Sequence, residues 1–506
     1  MGVKNFLANM MIYYIFIALV TVYVLNNFKN LLFSFSFLKK RQKNLLNKTE
    51  DKLVILMPVL REQEIIESNL EIFSNLAGDY ELVYITTERE VYEKKQRFEK
   101  LKAHKDKLLA TKNKDKFVEL LVGLFPYSKA ESFFEIRDQV EDDDQFWSRV
   151  IQEYFDTPST ADMIADYLNK NNLTNKNISQ IHYPDPDGVM AHQLNFACKQ
   201  LEKTHDPKKT YVICYNADSV INRDALNVFY DKISRGEKVI MQSSLFFDNY
   251  NDFDLSYRGC ILRCIALAQS RWTLIHEMSR IRAQYCQGLR SVYESAHVVG
   301  HGTCVRLDTL FSVGGFPEIF TNEDLPLGYF LALSGERICP VALLENSQSP
   351  TTIASVITQY TTWFYGAMDY FKYYRYATNF LHASKIKALF WAIVNSIRAA
   401  MWLLATWVWI GLLLFGILMG AWTAVLFIVV LFFFHTALIY VLISRFVTKN
   451  PFILGEEKYN IKFNFAMLFA VPVAYFVWGI GPIRSFSQVV IAKIKNKKVY
   501  KSKTER

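Results

Sequence analysis

The chain has 506 residues, 51% of them hydrophobic, and a net charge of +9. That length is too great for one ordinary soluble core and implies two or three structural units. Its lysines and arginines crowd beside apolar runs, at Lys39, Lys40, Arg41, Lys43 and Lys48 and again from Lys493 to Lys503, which the positive-inside rule explains without a nucleic-acid partner. The seven cysteines form no CxxC pair, which fits a reducing compartment and argues against a zinc site or a disulfide framework.

From Ala8 to Asn27 the sequence is almost wholly apolar, close to the ~20 residues that a bilayer-spanning helix needs. It lacks the basic start, short apolar core and small-residue cleavage site of a signal peptide. We read residues 1–38 as a retained anchor, with the N-terminus outside and the next section in the cytoplasm. That section, 51–350, opens with the buried-strand pattern LVILMPVL, continues through a helical stretch, and reaches a second strand, ELVYITT. Strand, helix, strand at this spacing is a βαβ unit and implies a parallel sheet. TYVICYNADS is a further apolar strand with a polar end. Residues 90–180 interrupt the pattern as a charged helical insertion, whose acidic run Glu141–Asp144 reads as a solvated loop rather than a metal site.

An amphipathic stretch at 351–383 leads into the C-terminal section, 384–506, with apolar runs at 387–418, 421–444 and 464–482. Three spans there would put the basic tail outside, against the positive-inside rule. Pro472, Gly479, Gly481 and Pro482 are expected to bend the last run, leaving it re-entrant or interfacial.

Several segments carry residue types suited to chemistry. Pro58-Val59-Leu60-Arg61-Glu62 follows the first strand, where exposed amides and a cation can meet a nucleotide. Glu88 closes the second strand. Gly188 to Asn195 carries Met190 and His192. Asn216-Ala217-Asp218 ends the third apolar strand, where alternate residues face one side and can share a hard cation. Gly300-His301-Gly302-Thr303 precedes Gly314-Gly315-Phe316-Pro317 and then Glu323-Asp324. Gln359 to Gly366 places Trp363 one turn after Gln359, and an aromatic face suits the apolar face of a sugar ring.

In order and spacing, these segments resemble the membrane-integrated family 2 glycosyltransferases, inverting enzymes with a Rossmann-like α/β GT-A fold. The cellulose, chitin, hyaluronan and capsule synthases are of this type. The resemblance covers roughly 53–88 and 181–370 together with the membrane helices. It implies donor-binding roles for Pro58, Val59, Arg61, Glu62, Glu88, Asp218, Gln359 and Trp363. Asp218 with Asn216 would hold Mg2+ or Mn2+. Gly300, His301, Gly302, Thr303 and Trp363 would meet the acceptor, and Asp324 would be the base, oriented by Glu323. Three positions depart from the pattern: Met190 replaces a lysine, Asn216 the first acid of a DxD motif, and Thr362 the arginine of QxxRW. A cation for the diphosphate would then come from His192 or elsewhere.

The expected activity is transfer of a sugar from a UDP-sugar, with UDP-glucose the first to test, to a growing polysaccharide that passes out between the C-terminal helices. The expected location is the plasma (inner) membrane, with the catalytic section cytoplasmic. Two rivals stand beside it: a single-addition transferase on a lipid-linked acceptor, and an inactive receptor or assembly protein on the same scaffold. Sugar, linkage, acceptor and homo-oligomer formation stay open.

Overall fold

The computed structural model describes residues 3–40, 50–121, 124–125, 127–137, 139–140, 142–171 and 177–495. Arg41, Lys43, Lys48, Glu141 and the tail lysines after Lys495 lie outside the described residues.

Nine strands are present among the described residues: β1 (Lys52–Pro58), β2 (Tyr80–Thr87), β3 (Ile178–Tyr183), β4 (Thr210–Cys214), β5 (Val239–Met241), β6 (Ser244–Leu245), β7 (Thr303–Arg306), β8 (Ile338–Pro340) and β9 (Glu345–Asn346). Seven form one sheet in the order β3-β2-β1-β4-β7-β5-β8. β7 runs antiparallel to both β4 and β5, while the other pairings are parallel. β1 and β4 are buried along nearly their whole length, as near-continuous apolar strands between helical layers should be. The mixed sheet with its flanking helices fits the GT-A α/β fold expected from the sequence. The chain winds from β1 to β2 and β3 on one side, then returns to lay β4 on the other side of β1. The reversal leaves a crevice at the carboxyl ends of β1 and β4, where open α/β sheets bind ligands.

Between β2 and β3 the described residues form five α-helices, from Glu88–Ala110 to Thr160–Lys170. Those from Glu88 to Asp156 close on an apolar core of their own that includes Leu101, Phe117, Phe133, Phe146 and Val150. The acidic run belongs to a helix start. Asp142 caps the helix Asp143–Asp156 by accepting from the Asp144 amide, and Asp144 pairs with Lys105 at 2.9 Å.

Among the described residues, four helices are long and apolar enough to cross a membrane: Asn9–Leu38, Lys385–Leu418, Trp422–Lys449 and Phe465–Ile494. The first docks on the half that carries the sheet. Ser34 donates to Leu274 O at 2.5 Å, and the Arg282 guanidinium lies 3.6 Å from the Phe33 ring centroid. The last is one continuous helix through Pro472 and Pro482, although each proline removes one hydrogen bond from its ladder. Neighbours press close beyond the first proline. Gly479 abuts Thr406, and Gly481 abuts Tyr360 so closely that a Cβ would stand 2.4 Å from Tyr360 Cβ.

The neighbours of this last helix decide how it lies. Cys264, on the helix Tyr257–Trp272, donates to Met467 O at 3.6 Å. Thr361, on the helix Ile353–Ala367, donates to Gly481 O at 3.3 Å, and Tyr365 donates to Gln488. Both ends of the last helix therefore rest on helices of the half that carries the sheet. Its opposite face exposes Phe465, Phe469, Phe476, Ile483 and Phe486.

Candidate active site

The Gly300 loop is built by a glycine that no other residue could replace. Gly302 has φ +70, and a Cβ there would lie 2.2 Å from Gln242 O. Its amide donates to Cys214 O and its carbonyl accepts from Gln242 N, each at 2.8 Å. The turn thus ties the end of β4 to the end of β5 and turns Gly300 and His301 into the crevice. The following Thr303 begins β7, where it is buried and donates to Val299 O at 2.7 Å. Gly302 and Thr303 hold the turn and do not line the cavity, in contrast to the sequence expectation.

The second glycine turn is clamped from afar. Gly314 and Gly315 have φ +89 and +82. Asn195 accepts from Phe316 N and donates to Phe316 O, both at 2.8 Å, and donates to Glu318 at 2.7 Å. One side chain of the Met190–Glu202 helix thereby fixes the loop that leads to Glu323 and Asp324. Glu323 occupies the N-cap position of the helix Asp324–Leu333, yet its side chain makes no capping bond. It is buried, and it faces the cavity instead. Asp324 accepts from the Leu325 amide through Oδ1 at 2.7 Å, which orients the carboxylate. A Cβ built on Gly300 would lie 3.5 Å from Glu323 Oε1, 3.9 Å from Asp324 Oδ2 and 3.8 Å from the Met190 methyl.

These residues open on one cavity of about 360 Å³. Asn216 lies at its wall, with Glu323, Asp324, Gly300 and His301. Gln359, Thr362 and Trp363 also line it, so the Ile353–Ala367 helix faces the same space. Gln359 accepts from Gln269 at 2.6 Å, and Gln269 accepts in turn from Ser349 at 2.9 Å. On the membrane side the wall continues through Trp272, Glu277, Arg280, Asn395, Arg398 and Trp402. These residues stand on helices without a motif. The available signal was the run of arginines, Arg263, Arg271, Arg280 and Arg282, in an otherwise apolar segment.

Asn216 and Asp218 are half-buried on either side of the buried Ala217, in a turn beyond β4, and of the two only Asn216 lines the cavity. Among the described residues no three His, Cys, Asp or Glu side chains cluster as a metal cage. A carboxylate with a neighbouring amide oxygen still suits a hard divalent ion that takes its remaining ligands from water and a diphosphate. His301 supplies a cation nearby. Burial alone would lower its imidazole, but the Glu345 carboxylate 2.7 Å away raises it to about 9, helped by Asp218. His192, the sequence candidate for this charge, stands instead 3.8 Å from Glu318 and outside the cavity wall.

The β1 loop is placed differently from the sequence expectation. Arg61 has φ 57, its amide donates to Glu90 at 3.1 Å, and its Nε lies 3.4 Å from Glu93. Val59 is buried and donates to Ile85 O at 3.0 Å, and the Glu62 amide donates to Thr160 at 3.0 Å. Glu88 pairs with His182 at 3.3 Å. Pro58, Val59, Arg61, Glu62 and Glu88 thus border the insertion, and none lines the cavity.

Residues 211–435 match the family model described as Glycosyl transferase family group 2. That stretch spans β4, Asp218, the Gly300 loop, the Glu323-Asp324 pair, the Gln359 helix and the helix Lys385–Leu418. No curated protein matches the sequence. Among solved structures, the mannosyltransferase PcManGT from Pyrobaculum calidifontis, in complex with GDP-Man and Mn2+, is similar with a TM-score of 0.41 and 11% identity over 95% of this chain and 99% of that one.

Proposed function

We propose that the protein is an inverting glycosyltransferase that moves a sugar from a UDP-sugar to a glycan growing at the cytoplasmic face of a membrane. The observation that carries this reading is the meeting of Asn216, Gly300, Glu323-Asp324 and the Gln359–Trp363 turn on one cavity. A chain that kept the scaffold for binding alone would have no need to aim two carboxylates into that space.

Asp324 is the base. Its carboxylate accepts the proton of the acceptor hydroxyl, and that oxygen attacks the anomeric carbon from the face opposite the nucleotide. Glu323, bound into no cap, holds the charge balance beside it. A Mg2+ or Mn2+ ion, held by Asp218 with Asn216, would neutralise the leaving diphosphate. Met190 and Thr362 supply no cation at the positions where one is expected, and the His301 imidazolium makes up part of the deficit. Trp363, with Trp272 and Trp402 deeper in, offers aromatic faces to the acceptor sugar. Gln359 and its bonded partner Gln269 present amide groups to the donor side.

The same proposal includes topology. The helices Asn9–Leu38, Lys385–Leu418 and Trp422–Lys449 cross the membrane, and the last lies along its cytoplasmic surface. Its seat on two helices of the catalytic half supports this, as does its exposed phenylalanine stripe. Lys493 and Lys495 then end on the cytoplasmic side, which removes the conflict with the positive-inside rule.

A second reading, single addition to a lipid-linked acceptor, draws support from the place where the cavity ends. Its inner wall includes Arg398, Ala399 and Trp402 of a membrane helix. The deciding experiment incubates detergent-purified protein with UDP-sugars and a divalent metal, and follows UDP release and product mass. UDP release that Asp324→Asn abolishes, with a long product ladder, supports the polymer reading. A single mass increment on a lipid supports the second. No UDP release with any sugar sinks both.

A further inference from the structure

The inner end of the cavity carries more positive charge than its surroundings neutralise. Three guanidinium groups converge on one buried carboxylate, Glu294. Arg398 donates to its Oε2 at 2.8 Å, Arg290 lies 3.4 Å from Oε1, and Arg280 Nε lies 3.8 Å from Oε2. Arg280 and Arg398 line the cavity, and Glu294 does not. The Arg280 side chain is only 11% exposed, and its ion pair with Glu294 uses Nε alone, so among the described residues its two terminal nitrogens have no bonded acceptor. Burial, together with the neighbouring Arg398 charge, pushes the Arg280 guanidinium down to about 10. His297, which shares the wall, is held neutral by burial and by the same two arginines, with a value near 3. Uncompensated buried charge is costly, and proteins keep it where a ligand completes the pairing.

The neighbours of these arginines show which substrate would meet them. Arg280 and Arg398 share the cavity wall with Trp272 and Trp402, the aromatic faces given above to the acceptor. Arg398 belongs to the helix Lys385–Leu418 that leads into the membrane, and Trp402 stands one turn further along.

We propose that Arg280 and Arg398 form a phosphate subsite, so that the acceptor taken by this cavity carries a phosphate ester beyond the sugar or hydroxyl that reacts. Guanidinium forks match the oxygens of phosphate, and a partly dry wall strengthens each bond. The place of the subsite at the head of a membrane helix suits a lipid phosphate, while a phosphorylated sugar presents the same chemistry. The inference builds on the acceptor assignment made above for the same cavity.

Arg280→Gln is the test variant, because Glu294 keeps Arg398 and Arg290 when Arg280 is lost. Binding to the full-length protein in detergent is measured for four probes: a short-chain polyprenyl phosphate, the matching polyprenol, glucose 1-phosphate and glucose. UDP binding is measured in parallel. The expected result is that at least one phosphate probe binds about tenfold or more tightly than its neutral counterpart. Arg280→Gln should remove that advantage, Arg280→Lys should keep most of it, and UDP affinity should stay within about twofold in both. The polyprenyl and glucose arms tell a lipid phosphate from a sugar phosphate. Equal binding of phosphate and neutral probes overturns the subsite, as does an Arg280→Gln loss that is as large for UDP as for the phosphate probe. Phosphate discrimination without any UDP binding would leave the subsite standing and defeat only the glycosyltransferase reading.

Discussion

His301 Nδ1 stands 2.7 Å from Glu345 Oε2, which joins a cavity-lining imidazole to a carboxylate sealed in the core. Ser244 Oγ, at 3.0 Å from the same nitrogen, completes the contact. The pair links the Gly300 loop to β9, so it bears on stability as well as on the charge in the site. His301 is raised to about 9 in the folded protein, above the 6.5 of a free imidazole, because Glu345 outweighs the effect of burial. A raised histidine stabilises the fold fully below pH 6.5, and this contribution is lost as pH rises through about 9. Thermal unfolding of the detergent-solubilised protein should therefore shift to lower temperature between those two values. His301→Gln should lower stability at pH 6 and flatten the decline above it. A variant with the same slope as the wild type would show that the pair does not titrate.

Asp324 and Glu323 should separate in their kinetic effects. Asp324→Asn keeps the side-chain shape and the contact with the Leu325 amide, but removes the proton acceptor. Transfer should fall by roughly 10²- to 10⁴-fold, with nucleotide binding unchanged. Glu323→Gln should cost less, because Asp324 remains as the proton acceptor. Equal losses in both variants would instead make the pair a shared acid-base unit.

Asn195 should matter to stability although it touches no substrate. Its amide satisfies both polar groups of Phe316 at the Gly314-Gly315 turn. Asn195→Leu would strand a buried N–H and a buried C=O, at a cost of roughly 1–3 kcal/mol each. The Asp324 loop would lose its brace as well, so activity should drop at temperatures where most of the protein is still folded. Chemical denaturation and initial rates on one preparation would test both effects.

The strands that sequence patterning revealed are the long apolar ones, LVILMPVL, ELVYITT and TYVICYNADS, because a run buried on both faces needs no partner to be recognised. β5 and β8 are three residues each and β6 and β9 two, too short for any period to emerge. Thr303 was assigned to a binding loop because sequence does not register that β7 inserts antiparallel between β4 and β5. At the site, residues that stay close along the chain were legible, such as Glu323-Asp324 and Gln359–Trp363. The membrane-side wall was not, since Glu277, Arg280 and Trp402 come together only when the Tyr257–Trp272 helix and its continuation pack against Lys385–Leu418. Arg61 is the opposite case: its motif is plain, but its surroundings, with Glu90 on its amide and Glu93 beside Nε, come from the insertion.

The last helix makes the most direct topological prediction. If it lies on the cytoplasmic surface, a single cysteine placed near Lys495 will react with a membrane-impermeant maleimide in inside-out vesicles and stay protected in right-side-out ones. A cysteine at Met419, in the connection between Lys385–Leu418 and Trp422–Lys449, should give the reverse pattern. Cys286 is the one exposed native cysteine among the described residues and should be replaced first to lower the background. Labelling of the Lys495 and Met419 positions from the same side would mean that Phe465–Ile494 spans the bilayer after all. Its phenylalanine stripe would then face lipid tails along the full thickness. Substituting Phe469 and Phe476 with lysine distinguishes the two arrangements by a second route. On a surface helix the long lysine stem can snorkel to the headgroups at modest cost. Within a spanning helix, a lysine near the middle costs roughly 2.5–3.5 kcal/mol and should impair insertion.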